Sequence, residues 1–180
     1  MLHVDKPSAR APLRSVTDGG WDAGPMTPTW SPREPTTLVR GIDIGHGAET
    51  FRRAAERLMT WQVHRDAGLR VQADHDRAVP GATVVLRIRL GPLVVTAPCE
   101  VVGVVAEETE QGFSYRTLPG HPEVGLEHFR VSLAMDGGVR GVVHAESAAA
   151  GLLSRAGGPV TRLVQLRQTD RYLRAMRGTG

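Results

Sequence analysis

The chain has 180 residues, 41% of them apolar, and a formal charge of +3; that length suits one domain whose core can keep water out of a small pocket. The single cysteine, Cys99, excludes an internal disulfide and a cysteine-built metal cage, and it fits a reducing compartment, so a cytoplasmic location is expected. No signal peptide is expected, because no positively charged start leads into an apolar run, and no transmembrane segment, because the longest apolar stretch, Leu90 to Ala106, is interrupted by Pro92, Pro98 and Glu100.

Charge is unevenly spread. Residues 151–180 hold six arginines against Asp170 alone, a local +5, so the remainder is net −2. The basic character belongs to the C-terminal segment and is not a whole-protein signal for nucleic acid. Lys6 is the only lysine, and the Arg, Ala, Gly and Val bias reads as bacterial-type, GC-rich coding.

Residues 1–35 carry six prolines without a sustained period and read as a Pro/Gly-rich tail, although Trp21 and Trp30 favour some docking onto the domain. A single domain is expected over 36–180. It opens with a short strand, Thr36 to Ile44, broken by Gly45-His46-Gly47. Phe51, Ala54, Ala55, Leu58 and Trp61 then recur on one helical face, with Arg52, Arg53 and Glu56 opposite, so a helix is expected from Ala48 to about His64–Gly68.

The middle is strand-rich. Val84, Leu86, Ile88 and Leu90 alternate with Val85, Arg87 and Arg89, which predicts one buried face. Leu93–Ala97 and Cys99–Ala106 read as two further extended runs, and Phe113–Thr117 as another strand. Glu127 to Met135 alternates through Phe129, Val131 and Leu133; Asp136-Gly137-Gly138 signals a hairpin into a last strand, Val139 to Ser147. Leu152, Leu153 and Ala156 begin a helical face. Gly157-Gly158-Pro159 interrupts it, and Val160, Leu163, Val164, Tyr172, Leu173 and Met176 continue it. A meander of this kind must have one face covered, and the C-terminal helix is the element long enough to do so. The expected class is α+β: a curved antiparallel sheet wrapped around a long C-terminal helix, enclosing an apolar pocket.

The run Tyr115-Arg116-Thr117-Leu118-Pro119-Gly120-His121-Pro122-Glu123, followed by Gly125, Glu127 and Phe129, resembles the signature of the DUF1990 (UPF0548) family. Gly158-Pro159-Val160-Thr161-Arg162-Leu163-Val164-Gln165 before Tyr172-Leu173 is similar to its final helix, and the resemblance spans roughly 36–177. It departs from the family pattern at Leu126, where the family tends to an acid, and at Glu146-Ser147-Ala148-Ala149, where it favours an aromatic-Ser-Arg-Pro stretch. The resemblance implies a START/Bet v 1-like helix-grip fold with a cavity between sheet and helix.

The expected function is binding of a small apolar or amphipathic molecule in that cavity. Leu86, Ile88, Val101, Tyr115, Phe129, Val131, Leu163 and Tyr172 are its expected lining. Thr117, His121, Glu123, Glu127 and His144 are the polar groups around it. An acid–base enzyme of cyclase, dehydratase or hydrolase type is the alternative, with Glu127, His121 and Tyr115 as candidate catalysts: a desolvated carboxyl titrates near neutrality and a histidine beside it can pass a proton. The bland reading of His121 and Glu123 is that they fix a proline-bounded turn. A third reading is an interaction protein using the basic helix, where Arg167, Arg171 and Arg174 share one face; without interleaved aromatics, nucleic acid is not the expected partner. The histidines lack metal-ligand spacing, so neither metal nor cofactor is expected, and Cys99 reads as a small buried hydrophobe. Nothing in the sequence sets an oligomeric state.

Overall fold

The computed structural model describes residues 36–149 and 158–178. The expected tail, 1–35, and the expected helical start at Leu152–Ala156 lie outside them.

Seven strands form one antiparallel sheet: β1 (Thr36–His46), β2 (Arg70–Ala73), β3 (Thr83–Leu90), β4 (Leu93–Ala106), β5 (Glu110–Thr117), β6 (Glu123–Leu133) and β7 (Gly138–Ala149). Their spatial order is β1-β7-β6-β5-β4-β3-β2. Consecutive strands pair as hairpins from β2 to β7, and β1 returns to the far edge beside β7. The helices are α1 (Ala48–Met59), α2 (Gln62–Asp66) and α3 (Gly158–Arg177). Between β1 and β2, α1 packs on β5, β6 and β1, while α2 packs on α3 and β2. The curved sheet with its C-terminal helix is the expected architecture.

Alternation accounts for the core. Val84, Leu86, Cys99, Val101, Phe113, Tyr115, Phe129, Val131 and Val143 are all buried on the face toward α3. Tyr172, Leu173 and Met176 close on them from α3. The sheet bends where backbones approach closely. A Cβ on Gly112 would collide with the Phe129 carbonyl, and one on Gly125 with the Glu146 carbonyl. A register shift between Val101 and Gly103 adds a bulge in β4.

Three element readings change. Pro98 does not divide β4; Leu93–Ala106 is one strand, with Pro98 opposite Val85. The helix expected to run to His64 breaks at Trp61, which adopts φ 64° and starts the short α2. Burial holds this unusual backbone: the indole is fully buried and its Nε1 donates to the His75 carbonyl at 3.0 Å. Met135 falls past the end of β6 and is fully exposed. Strand β2, too short for a period, was not anticipated.

Candidate functional site

Tyr115 on β5 lies directly opposite Glu127 on β6. Cross-strand partners share a face, so both belong with Phe113 and Phe129, the next such pair. The Tyr115 hydroxyl donates to Glu127 Oε2 at 2.6 Å. From α3, Tyr172 packs edge-on against Phe129, with ring centroids 5.1 Å apart, and stands beside this carboxyl, with Gln168 one helical turn away. Gln168 in turn donates to the Ala67 carbonyl beyond α2, at 3.4 Å. Cys99, fully buried on β4, borders the group. A polar chain from strand to helix is thus set into an otherwise apolar face.

Its electrostatics follow from burial. Glu127 shows some exposed area along its length, but its carboxyl end is desolvated, which raises its pKa to about 7. The Tyr115 hydrogen bond opposes that rise, and the nearby Glu123 carboxylate adds to it. Burial, and then Glu127, hold Tyr115, Tyr172 and the Cys99 thiol well above their ordinary values. At neutral pH these three are protonated donors around one carboxyl that can gain or lose a proton.

His64 adjoins this chain. The ring is fully buried at the centre of five aromatic side chains: Phe129 and Tyr172 at centroid distances of 4.9 Å, Trp61 at 5.6 Å, Phe113 at 5.9 Å and Tyr115 at 6.2 Å. Burial, with Arg65 beside it, lowers its pKa to about 3. Both ring nitrogens are buried without a hydrogen-bond partner. An orphaned buried polar atom costs about 1–3 kcal/mol, so His64 is a costly residue for a core. The sequence reading placed it near the end of the first helix and gave it no part in the pocket. No periodic signal marks it, because the helix breaks at Trp61 and a new five-residue helix begins. Arg40 was also overlooked: register aligns it with Val143, Phe129 and Phe113, and its Nε is buried without a partner.

The other named residues divide. Leu86, Val101, Phe129, Val131, Tyr115 and Tyr172 are buried on the α3-facing side, and Ile88 is partly buried against them. Thr117 sits one step beyond Tyr115, its Oγ1 accepting from the Gly125 amide at 3.0 Å. Leu163 is in α3, but its side chain lies outside the described residues.

Two polar candidates do not join. His121 turns back on its own loop: Nδ1 lies 2.8 Å from the Glu123 carbonyl and 3.0 Å from its amide, so the pair fixes the turn into β6. Burial lowers the His121 pKa. His144 occupies the opposite face, cross-strand from His128, with ring centroids 5.2 Å apart. Odd and even positions on β6 explain this, since Glu127 and Phe129 flank His128. His128 shares a hydrogen bond with Ser114, and burial lowers its pKa to about 4. Among the described residues, no group of three or more His, Cys, Asp or Glu side chains is arranged to hold a metal. No helix among them is long and apolar enough to cross a membrane.

The comparisons with known proteins agree with this architecture. Residues 22–175 match the model of DUF1990, described as a domain of unknown function. A UPF0548 protein of Deinococcus radiodurans is 31% identical over 178 residues, covering 93% of this chain and 88% of that one. Among solved structures, the Zhui aromatase/cyclase from a Streptomyces species superposes with a TM-score of 0.60 at 13% identity, covering 80% of this chain and 92% of that one. Major latex-like protein 151 from Panax ginseng gives 0.53 at 16% identity, covering 82% and 100%. At such identities the likeness speaks for the fold alone. The chain is a member of the DUF1990 (UPF0548) family, whose function is unassigned, built on a Bet v 1/START-like helix-grip fold.

Proposed function

We propose that this protein binds a small apolar or amphipathic molecule between the concave sheet face and α3, with Glu127 as its polar anchor. The observation that carries this reading is the Glu127 carboxyl, desolvated and tied by Tyr115 on a face whose neighbours are apolar. A domain that needed only a core would gain stability from an apolar residue there. The orphaned nitrogens of His64 and the buried Nε of Arg40 favour the same reading, because each lacks a partner that a polar ligand atom can supply. An apolar body would meet Val101, Phe129 and Val131. A cytoplasmic setting fits the lone buried thiol.

Native mass spectrometry of the freshly purified protein, with a thermal-shift panel of small apolar alcohols, amines and carboxylic acids, tests the proposal. One or more compounds should raise the melting temperature of the wild type, and Glu127→Gln should weaken that response about tenfold, the worth of one charge-assisted hydrogen bond. No response to any compound would discard the reading.

The acid–base enzyme is the second reading, and one observation favours it: Glu127 exchanges its proton at about pH 7. Tyr115 takes the place of His121 as its partner, because His121 is committed to its turn. This reading requires turnover of a bound compound to follow the Glu127 titration and to vanish in Glu127→Gln.

A further inference from the structure

Away from the concave face, a cleft of about 440 Å³ opens between α2 and the last turns of α3. That volume suits a small molecule. Its charged lining is Arg57 from α1, Asp66 from α2, and Arg171 and Arg174 from α3. The carboxylate is already engaged on both oxygens: Oδ2 accepts from Arg57 at 2.6 Å and Oδ1 from Gln62 at 2.7 Å. Arg57 also donates to the Ala175 carbonyl at 3.1 Å, which pins the pair to the end of α3. Arg57 and Asp66 therefore neutralise each other.

Arg171 and Arg174 are left over. Both are exposed, and neither has a hydrogen bond or ion pair among the described residues. They stand three residues apart on one helix, so their guanidinium groups share a face and repel. Late arginines do favour a helix C-terminus. That preference explains their position on α3. It does not explain why they border a recess built with α1 and α2, or why the carboxylate that lines it is spent on a third arginine.

We infer that this cleft binds a dianionic phosphate group, as carried by a phosphomonoester, clasped by Arg171 and Arg174 above the Arg57–Asp66 pair. Two unneutralised charges match a dianion. The guanidinium fork matches phosphate oxygens in pairs, which a point charge does not. The site is separate from the concave face and stands whether or not that face binds a ligand.

Inorganic phosphate is the probe, titrated into the full chain at pH 7.5 and followed by amide and arginine Nε resonances. Sodium chloride at equal ionic strength is the control. Saturable shifts at Ala67, Gly68, Arg171 and Arg174 with phosphate alone are expected. Arg171→Gln/Arg174→Gln should bind about tenfold or more weakly. Arg89→Gln, a charge removal on exposed β3, should bind like the wild type. Vesicles with and without phosphatidic acid separate the sources of the group: retention on phosphatidic acid, lost in the double variant, indicates a lipid headgroup, and phosphate saturation without retention a soluble ester. Equal shifts with chloride, a double variant that binds like the wild type, or equal weakening by Arg89→Gln would each overturn the inference.

Discussion

The Tyr115–Glu127 pair is the residue-scale centre of the molecule. The face of Glu127 was legible from period two, since it shares the parity of Phe129 and a carboxyl on an inward face is desolvated; its pairing with Tyr115 in place of His121 was not, because that depends on the register of β5 and β6. The Tyr172 contact was legible in part, since the helical period places it on the apolar side of α3. His64 was not legible, because it sits on a five-residue helix after a left-handed tryptophan, where periodicity has no length to act over. His144 was misread because a histidine in a strand carries no mark of its face until register is known. The pair makes a direct prediction. The Tyr115 hydroxyl holds the Glu127 pKa down, against burial, at about 7. Tyr115→Phe removes that bond, so Glu127 should titrate higher than in the wild type, as read by carbon-13 carboxyl shifts. A lower value would mean that the hydrogen bond does not favour the ionised form.

At the scale of elements, curvature lets one sheet and its helices enclose a single core, with α3 against β1 and β7 and α1 against β5 and β6. Strand existence could be read from alternation and turn residues, but curvature could not, because it depends on where backbones come within van der Waals contact. Gly125 is one such place, two residues before Glu127. A methyl group there meets the Glu146 carbonyl, so β6 and β7 must separate or the strand must shift. Gly125→Ala should destabilise the fold by about 1–3 kcal/mol, the range for forced overpacking. Amide exchange should rise in β6 and β7 while β3 and β4 stay protected, since those hairpins are remote from the clash. Uniform loss of protection across all seven strands would argue against a local role in shaping the site.

Among the described residues, the buried groups Glu127 and His64 affect the stability of the whole molecule with opposite signs. Glu127 is raised from 4.5 to about 7, so its share of stability is full below pH 4.5 and is lost as pH rises through 7. His64 is lowered from 6.5 to about 3, so its share is full above pH 6.5 and is lost as pH falls toward 3. Between 4.5 and 6.5 these two slopes cancel, and the lowered pKa values of His121, His128 and His144 leave a net rise of stability with pH there. Stability should therefore rise from about pH 3 to a maximum near pH 6.5 and decline slightly between there and pH 7; over their whole titration ranges the upper limits are roughly 3 kcal/mol for Glu127 and roughly 5 kcal/mol for His64. Urea midpoints against pH provide the check. His64→Leu should lessen the acid decline below pH 4.5 while leaving the decline from pH 6.5 to 7, and Glu127→Gln should remove the latter and keep the former. An acid decline that survives unchanged in His64→Leu would assign it to other groups.

The claim that joins these scales is that the concave face, with Glu127 at its polar end, receives a small molecule. A crystal structure of the wild-type protein, purified without added ligand and then soaked with the strongest compound from the thermal-shift panel, tests it most directly. The expected result is density between the sheet and α3, with a polar atom within hydrogen-bond distance of the Glu127 carboxyl and an apolar part against Phe129 and Val131. Side chains that fill this region completely, with the compound elsewhere or absent, would contradict it.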